Sequence, residues 1–231
     1  MKSKVIILIV IDSSIAFASR PLKSDDAFTL GRNLFQLELA YEIIPETGFS
    51  LPVSSAYGIW ENTDILINVS FNNSSNGSIM AFECIDLEAK KYLTSILGFE
   101  IATKFGFSSV IEKGFVSSPL GSLILISSLN INSFNFHFNC GYANNKNEGE
   151  FSDLWFGSVA CEYFLNDQIT IGTDLGIGRN PSFYFSSPTG YALLGVSYKL
   201  LDSVSIDTGL NITFNEQSKF DMFTSGLTIV L

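Results

Sequence analysis

Residues 204–214 read Val-Ser-Ile-Asp-Thr-Gly-Leu-Asn-Ile-Thr-Phe, so every second side chain is apolar or β-branched. Successive side chains of a β-strand point to opposite faces, and this stretch therefore predicts a strand with one apolar and one polar face. The polar face carries a single charge, Asp207, whereas the outer face of a soluble sandwich carries many. The pattern favours a strand that stands between lipid and a polar lumen.

The same alternation recurs at 34–42, 65–71, 97–106, 134–141 and 169–178. Together with the turn signals between them, these segments predict an all-β, transmembrane, antiparallel up-and-down β-barrel of about twelve strands. The predicted strands span 34–42, 53–61, 64–72, 79–91, 95–107, 121–130, 133–142, 153–164, 168–179, 190–200, 203–214 and 220–231.

Two of these strands are less regular than the others. Residues 86–91 are rich in charge and also read as a helical turn, so a barrel of ten strands is the alternative. The run 123–126, Leu-Ile-Leu-Ile, has no polar alternation and leaves open which of its residues face inward.

The connections alternate between short and long. Three short turns run from a tyrosine to an aspartate, at 57–64, 163–167 and 198–202. Longer polar stretches separate them, at 45–52, 72–78, 108–121, 143–152, 179–190 and 215–219. Asp and Asn stabilise tight turns, and short periplasmic turns facing longer outer loops are typical of outer-membrane barrels.

Composition excludes two other classes of protein. The chain has 231 residues, 13 Lys plus Arg against 23 Asp plus Glu, and a formal net charge of −10. A nucleic-acid binder would need a basic surplus, so no nucleic-acid partner is expected. With 46% hydrophobic and 16% charged residues, the chain is also too apolar for a disordered acidic protein.

The N-terminus has the features of a signal peptide. Lys2 and Lys4 precede an apolar stretch at 5–11, and Ala16 and Ala18 supply the small residues that a signal peptidase reads. We predict residues 1–18 as the signal peptide and the bacterial outer membrane as the destination; a buried N-terminal strand is the alternative. Three widely spaced cysteines, without a CxxC pair or a nearby histidine, predict neither a disulfide framework nor a zinc site.

The stretch after the signal peptide resembles a known family. Residues 20–31 read Arg-Pro-Leu-Lys-Ser-Asp-Asp-Ala-Phe-Thr-Leu-Gly, and residues 35–38 read Phe-Gln-Leu-Glu. This opening resembles that of the bacterial outer-membrane family named for the MetA-pathway of phenol degradation, or simply "transporter". The resemblance implies a twelve-stranded barrel that passes aromatic or other small hydrophobic compounds. It brings no catalytic residue and no cofactor.

If the apolar face meets lipid, the alternating polar residues line the lumen. The candidates are Gln36, Glu38, Glu42, Asn68, Glu100, Lys104, Asn135, His137, Asn139, Asp174, Lys199, Asp207 and Asn211. Glu88 and Lys90 join them if residues 79–91 form a strand. Acids outnumber bases, which favours cations or neutral solutes over anions. The alternative is that these groups pair with one another across a filled barrel, although Asp174 is expected on a polar, partly hydrated side.

The predicted organisation is a signal peptide, an N-terminal segment and a barrel. Residues 19–33 form either a periplasmic extension or an insertion into the lumen, and residues 34–231 form the barrel. We predict passive passage of small molecules, with outer-membrane lipid, the barrel-assembly machinery and a small solute as partners. A non-conducting structural or ligand-binding barrel is the alternative. A lipid hydrolase that uses His137 is a weaker one, because no serine lies two residues away on the same face.

Overall fold

The computed structural model describes residues 21–44, 48–74, 81–112, 115–116, 120–144, 151–180, 187–214 and 219–231. The predicted signal peptide, residues 1–18, lies outside the described residues and stays a prediction. Parts of the predicted outer loops lie outside them as well. No helix among the described residues is long and apolar enough to cross a membrane.

The described residues form an entirely antiparallel sheet. Its strands are β1 (Phe35–Ile44), β2 (Gly48–Trp60), β3 (Thr63–Ser74), β4 (Ala81–Ile96), β5 (Phe99–Glu112), β6 (Phe115–Val116), β7 (Leu120–Ile131), β8 (Phe134–Asn144), β9 (Asp153–Phe164), β10 (Ile169–Gly178), β11 (Thr189–Leu201), β12 (Val204–Phe214) and β13 (Lys219–Val230). Neighbours in the chain pair with each other, except that β5 pairs with β7 and the two-residue β6 extends only the end of β5. Pairing of β1 with β13 closes a barrel of twelve strands, which confirms the predicted fold.

Alternation separates the two faces of the wall as predicted. On β12, Ile206 and Leu210 are 41% and 46% exposed, whereas Asp207 and Asn211, the residues that follow them, are buried. The same parity settles the direction of β7, where Leu123 and Leu125 are exposed and Ile126 is buried. The outside of the barrel is therefore a continuous apolar belt, and the inside is polar.

The charged segment at 86–91 is a strand and not a helical turn. It belongs to β4, where Leu87 is exposed and Lys90 is buried, so the alternation holds although several positions are charged. The strand continues to Ile96, beyond the predicted end at residue 91. A tight turn follows, in which Leu97 and Gly98 have φ values of 55° and 84°. Positive φ at both central residues matches the twist of a hairpin.

The outer end of β2 differs from the prediction. The sequence predicts a polar loop over residues 45–52, but β2 begins at Gly48 and contains Pro52. Between β1 and β2, Leu39 pairs with Val53 and Glu42 pairs with Ser50, but the positions between these two pairs are unpaired. On the other side of β2, Pro52 pairs with Ser70 of β3. A proline has no N–H to donate, so a strand accommodates it where one ladder is interrupted.

Candidate functional site: the barrel lumen

All of the predicted lumen residues lie on the inward parity of their strands. The buried ones are Gln36, Glu38, His137, Asn139, Asp174, Asp207 and Asn211. The half-buried ones are Glu42, Asn68, Glu100, Lys104, Asn135 and Lys199, and Lys199 pairs with Asp202 of the adjacent turn at 2.9 Å. Glu88 and Lys90 share the inward parity of β4. That these residues line a path for a solute stays a prediction.

The described part of the N-terminal segment, residues 21–33, lies inside the barrel. It joins β1 through a turn in which Gly31 has a φ of 88°. The backbone there runs so close to β2 that a Cβ on Gly58 would collide with the carbonyl oxygen of Gly31. Asn33 donates its N–H to the carbonyl of Gly58 at 2.8 Å. The segment therefore enters the lumen at the end of the barrel where β1 begins.

Asp174 on β10 anchors the far end of the segment. Its carboxylate accepts the N–H groups of Lys23 and Ser24 at 2.8 and 2.6 Å and the hydroxyl of Ser24 at 2.9 Å. The hydroxyl of Tyr191 donates to it as well, at 3.1 Å. Asp174 is completely buried, so the expectation of a hydrated side at this position is wrong: the segment takes the place of water.

Glycines on the neighbouring strands make room for the start of the segment. A Cβ on Gly195 would collide with the ring of Pro21, and a Cβ on Gly172 would lie 2.9 Å from Leu22 Cδ2. A Cβ on Gly209 would lie 3.0 Å from the Cβ of Pro21. Strand glycines often mark a close approach of another chain segment, and here they form a shallow groove for Pro21 and Leu22.

The middle of the segment pairs with β7 and β8. Asp25 donates its N–H to Asn139 Oδ1 at 2.9 Å, and Asn139 Nδ2 donates back to the Asp25 carbonyl at 2.8 Å. Ala27 donates its N–H to Ser128 Oγ at 2.8 Å and packs against Ala102 and Ile126 in a small apolar core. These side chains replace the strand ladder that the segment itself lacks.

The single histidine takes part in the same network. His137 Nδ1 lies 2.8 Å from Ser128 Oγ, and Nε2 lies 3.2 Å from Glu162 Oε2. No serine stands two residues from His137 along β8, but Ser128 lies opposite it on β7. A serine, a histidine and an acid in contact resemble a hydrolytic triad, but Ser128 is completely buried and its Oγ already accepts the Ala27 N–H. The arrangement presents no open nucleophile.

Ion pairs from the neighbouring strands β4 and β5 also hold the segment. Lys90 on β4 lies 2.9 Å from Asp26, and Lys104 on β5 lies 2.6 Å from Asp25 and 3.4 Å from Glu88. Burial alone would raise the pKa of Asp25, but the ammonium groups of Lys104 and Lys90 outweigh that effect and lower its pKa below the ordinary value. Asp25 is therefore held as a carboxylate between the two lysines.

Two cavities open between the segment and strands β1–β4. The inner cavity has a volume of about 150 Å³, and its lining includes Asp26, Gln36 and Asp64. The outer cavity has a volume of about 350 Å³, and its lining includes Glu42 and Asp86. Glu38, Ser54 and Asn68 line both, so the two cavities adjoin.

Two observations on the described residues concern metal ligands and cysteines. No group of three or more His, Cys, Asp or Glu side chains is arranged there to hold a metal ion. Cys84, Cys140 and Cys161 form no disulfide with one another. Sequence reasoning missed Asp25, Asp26, Asp64 and Ser128 as lumen residues, because their roles depend on where the N-terminal segment lies and on cross-strand neighbours.

The barrel resembles solved outer-membrane channels. A COG4313 outer membrane channel from Pseudomonas putida F1 has a TM-score of 0.70 at 8% identity, over 89% of this chain and 98% of that chain. The KdgM porin has a TM-score of 0.63 at 12% identity, over 84% and 98%. The NanC porin has a TM-score of 0.61 at 9% identity, over 85% and 98%.

Identities this low show a shared fold and nothing finer. The chain has the fold of bacterial outer-membrane β-barrels, which agrees with the predicted location. No protein-family model matches it, and no curated protein sequence matches it. Its membership of the phenol-degradation family therefore stays a prediction.

Proposed function

We propose that this barrel is an outer-membrane channel for small polar solutes, neutral or cationic, that diffuse along one side of the N-terminal segment. The observation that carries the proposal is the pair of adjoining cavities beside β1–β4, which share Glu38, Ser54 and Asn68. The segment leaves space on that side and fills the lumen on the other, so a solute would follow a narrow, off-centre path.

The charges along this path favour cations and neutral solutes. Glu38 and Glu42 from β1 and Asp86 from β4 line the outer cavity, and Lys23 is the basic residue in that lining. In a lumen with low-dielectric walls, a surplus of one sign acts strongly on a passing ion. An anion would meet repulsion over most of its way.

Hydrophobic or aromatic solutes are the second candidate. The resemblance of residues 20–38 to the phenol-degradation family favours them, and so does one fold neighbour, the CymD monoaromatic hydrocarbon channel (TM-score 0.50, 10% identity). The outer cavity has a mixed lining, but the inner cavity is lined mainly by polar and charged side chains, which argues for the polar class instead. Uptake of a small polyol and of a monoaromatic compound into proteoliposomes, compared directly, separates the two.

A channel of this kind needs outer-membrane lipid around its apolar belt and the barrel-assembly machinery for insertion. Large apolar side chains such as Leu39, Leu87 and Leu175 are 40%, 52% and 55% exposed on the outer face. Burial of such a belt in hydrocarbon is the driving force for insertion. Both partners belong to the proposal.

The test is conductance of the refolded barrel in a planar bilayer. We expect small discrete steps in KCl and a reversal potential that favours K⁺ over Cl⁻. Glu38→Gln, on the shared lining of both cavities, should reduce that preference, whereas Asp167→Asn, an acid exposed in the turn between β9 and β10, should leave it unchanged. Conductance equal to that of an empty bilayer would refute the channel and favour the alternative of a non-conducting barrel. Anion preference would refute the path along β1–β4.

A further inference from the structure

We propose that the inner cavity binds a small organic cation with several N–H donors, an ammonium or guanidinium group. The inference rests on the proposed channel and names the solute class that the smaller of its two cavities recognises. It comes from two buried acceptor atoms that no described residue pairs, together with the charge of the cavity around them.

The first acceptor is the side-chain oxygen of Gln36. Gln36 is 5% exposed, and its Nε2 donates to Glu38 Oε1 at 2.7 Å. A carboxylate only accepts, so this bond fixes the orientation of the amide and leaves Oε1 as an acceptor. Within the described part of the chain, nothing donates to Oε1.

The second acceptor is on Asp64. Its Oδ2 accepts the N–H of Leu30 at 3.0 Å, while Oδ1 is buried and has no donor among the described residues. Asp64 is only 3% exposed, and both it and Gln36 line the inner cavity. Buried acceptors without donors are uncommon and costly, and two around one cavity point to a ligand that donates.

The charge of the lining selects a cationic donor. Five carboxylates and two ammonium groups surround the cavity. Lys90 and Lys104 are each paired with a carboxylate of the N-terminal segment. The lining therefore keeps a negative surplus, and a positively charged N–H donor gains both the hydrogen bonds and the Coulomb attraction.

The size of the cavity limits the ligand. About 150 Å³ holds several water molecules, which is room for a guanidinium or a short primary amine and too little for a sugar. Bare metal ions have no N–H to donate, and no cluster of three metal-ligating side chains occurs among the described residues. Bound in the path, such a cation would slow the passage of other ions.

The experiment measures block of the K⁺ current by guanidinium and by methylammonium in a planar bilayer. Cs⁺ and tetramethylammonium serve as cations without N–H donors, one smaller and one larger than the ligand class. We expect guanidinium and methylammonium to block at least roughly tenfold more tightly than either control, the effect of one charged hydrogen bond. Gln36→Leu and Asp64→Asn should each weaken the block by roughly tenfold.

Gln36→Met keeps the length of the side chain without the amide oxygen and should weaken the block as Gln36→Leu does. Asp167→Asn, which removes an exposed acid from the turn between β9 and β10, should leave the block unchanged. A barrel without K⁺ current refutes the proposed function. Normal K⁺ current with equal block by Cs⁺ and guanidinium refutes the cation site alone. Selective block that survives both Gln36→Leu and Asp64→Asn shows that the inner cavity is the wrong place.

Discussion

The two sides of this lumen hold the same N-terminal segment in opposite ways. The packed wall, strands β7–β12, meets it with buried neutral groups, glycines and one carboxylate, and Ser128, His137 and Asp174 there are at most 1% exposed. The cavity wall, strands β1–β5, meets it with long charged side chains, Lys90 and Lys104, and leaves cavities beside them.

The difference follows from side-chain length. Glycine, serine and alanine on the packed wall let the backbone of the segment approach closely, so its N–H groups bond directly to Asp174, Asn139 and Ser128. On the cavity wall the backbone comes close only near β1, where Gly31 meets Gly58 and the Leu30 N–H bonds to Asp64. Farther along the segment, lysine side chains hold the carboxylates of Asp25 and Asp26. A close backbone contact excludes solvent, whereas an ion pair between long side chains leaves room beside it for a solute.

The strongest test of this contrast removes the anchor of the packed wall. Asp174→Ala leaves the N–H groups of Lys23 and Ser24 buried without an acceptor, and we expect docking of the segment to weaken by about 3 kcal/mol. The released segment should open the lumen and raise the conductance severalfold. It should also expose the peptide bond after Lys23 to trypsin.

Asp174→Asn is the matched control. Its amide oxygen still accepts a hydrogen bond, so conductance and cleavage should fall between those of the wild type and those of Asp174→Ala. Equal behaviour of Asp174→Ala and the wild type would mean that the segment is held elsewhere.

A smaller effect is expected from the glycine groove. Gly195→Ala places a methyl group where the Pro21 ring lies, and we expect docking to weaken by about 2 kcal/mol through overpacking. Gly157→Ala is the control, because its Cβ would make only an ordinary contact, 3.7 Å from the Asn139 carbonyl oxygen. Tryptic cleavage of the two variants, side by side, measures the difference. Equal cleavage would contradict the close approach at Gly195.

Alternation alone was enough to predict the wall of the barrel. On β12 it separated Ile206 from Asp207, and lipid requires such a pattern along every spanning strand. The alternation of apolar and polar residues was less evident on β4, because lysines and acids occupy several of its positions. Its two faces nevertheless alternate as on the other strands. Pro52 misled the prediction for β2, since a proline is tolerated where one neighbouring ladder is interrupted.

The interior was harder to predict, because its contacts join residues far apart in the chain. Ser128 meets His137 through the register of β7 with β8, which no spacing along one strand reveals. The carboxylate of Asp174, which was expected to be hydrated, instead accepts a hydrogen bond from Ser24, 150 residues away in the chain. Leu22 and Pro21 occupy the space beside Gly172 and Gly195, which depends on the path of residues 21–33.

Removal of an ion pair from the cavity wall should weaken docking of the segment less than the two changes above, but it should alter the ion selectivity more. Lys104→Met removes the partner of Asp25 and Glu88, and we expect docking to weaken by about 1 kcal/mol because these groups are partly hydrated. The lost positive charge should also increase the preference for K⁺. Reversal potentials measure the preference, and Lys91→Met on the exposed parity of β4 is the control. Lower K⁺ preference in Lys104→Met would contradict the acidic path.

The smallest expected effect is that of pH on the Asp25 pair. Lys104 and Lys90 lower the pKa of Asp25 below its ordinary value of 3.8, so this carboxylate stabilises the docked segment at all pH values above that. The stabilisation is lost only as the pH falls through the lowered pKa, because protonation then removes the charge from the pair. Conductance should stay constant from about pH 7 to about pH 5 and rise below about pH 4. Asp25→Asn lacks the titrating group and should show a smaller rise. An equal rise in both would assign the acid response to other carboxylates of the lumen.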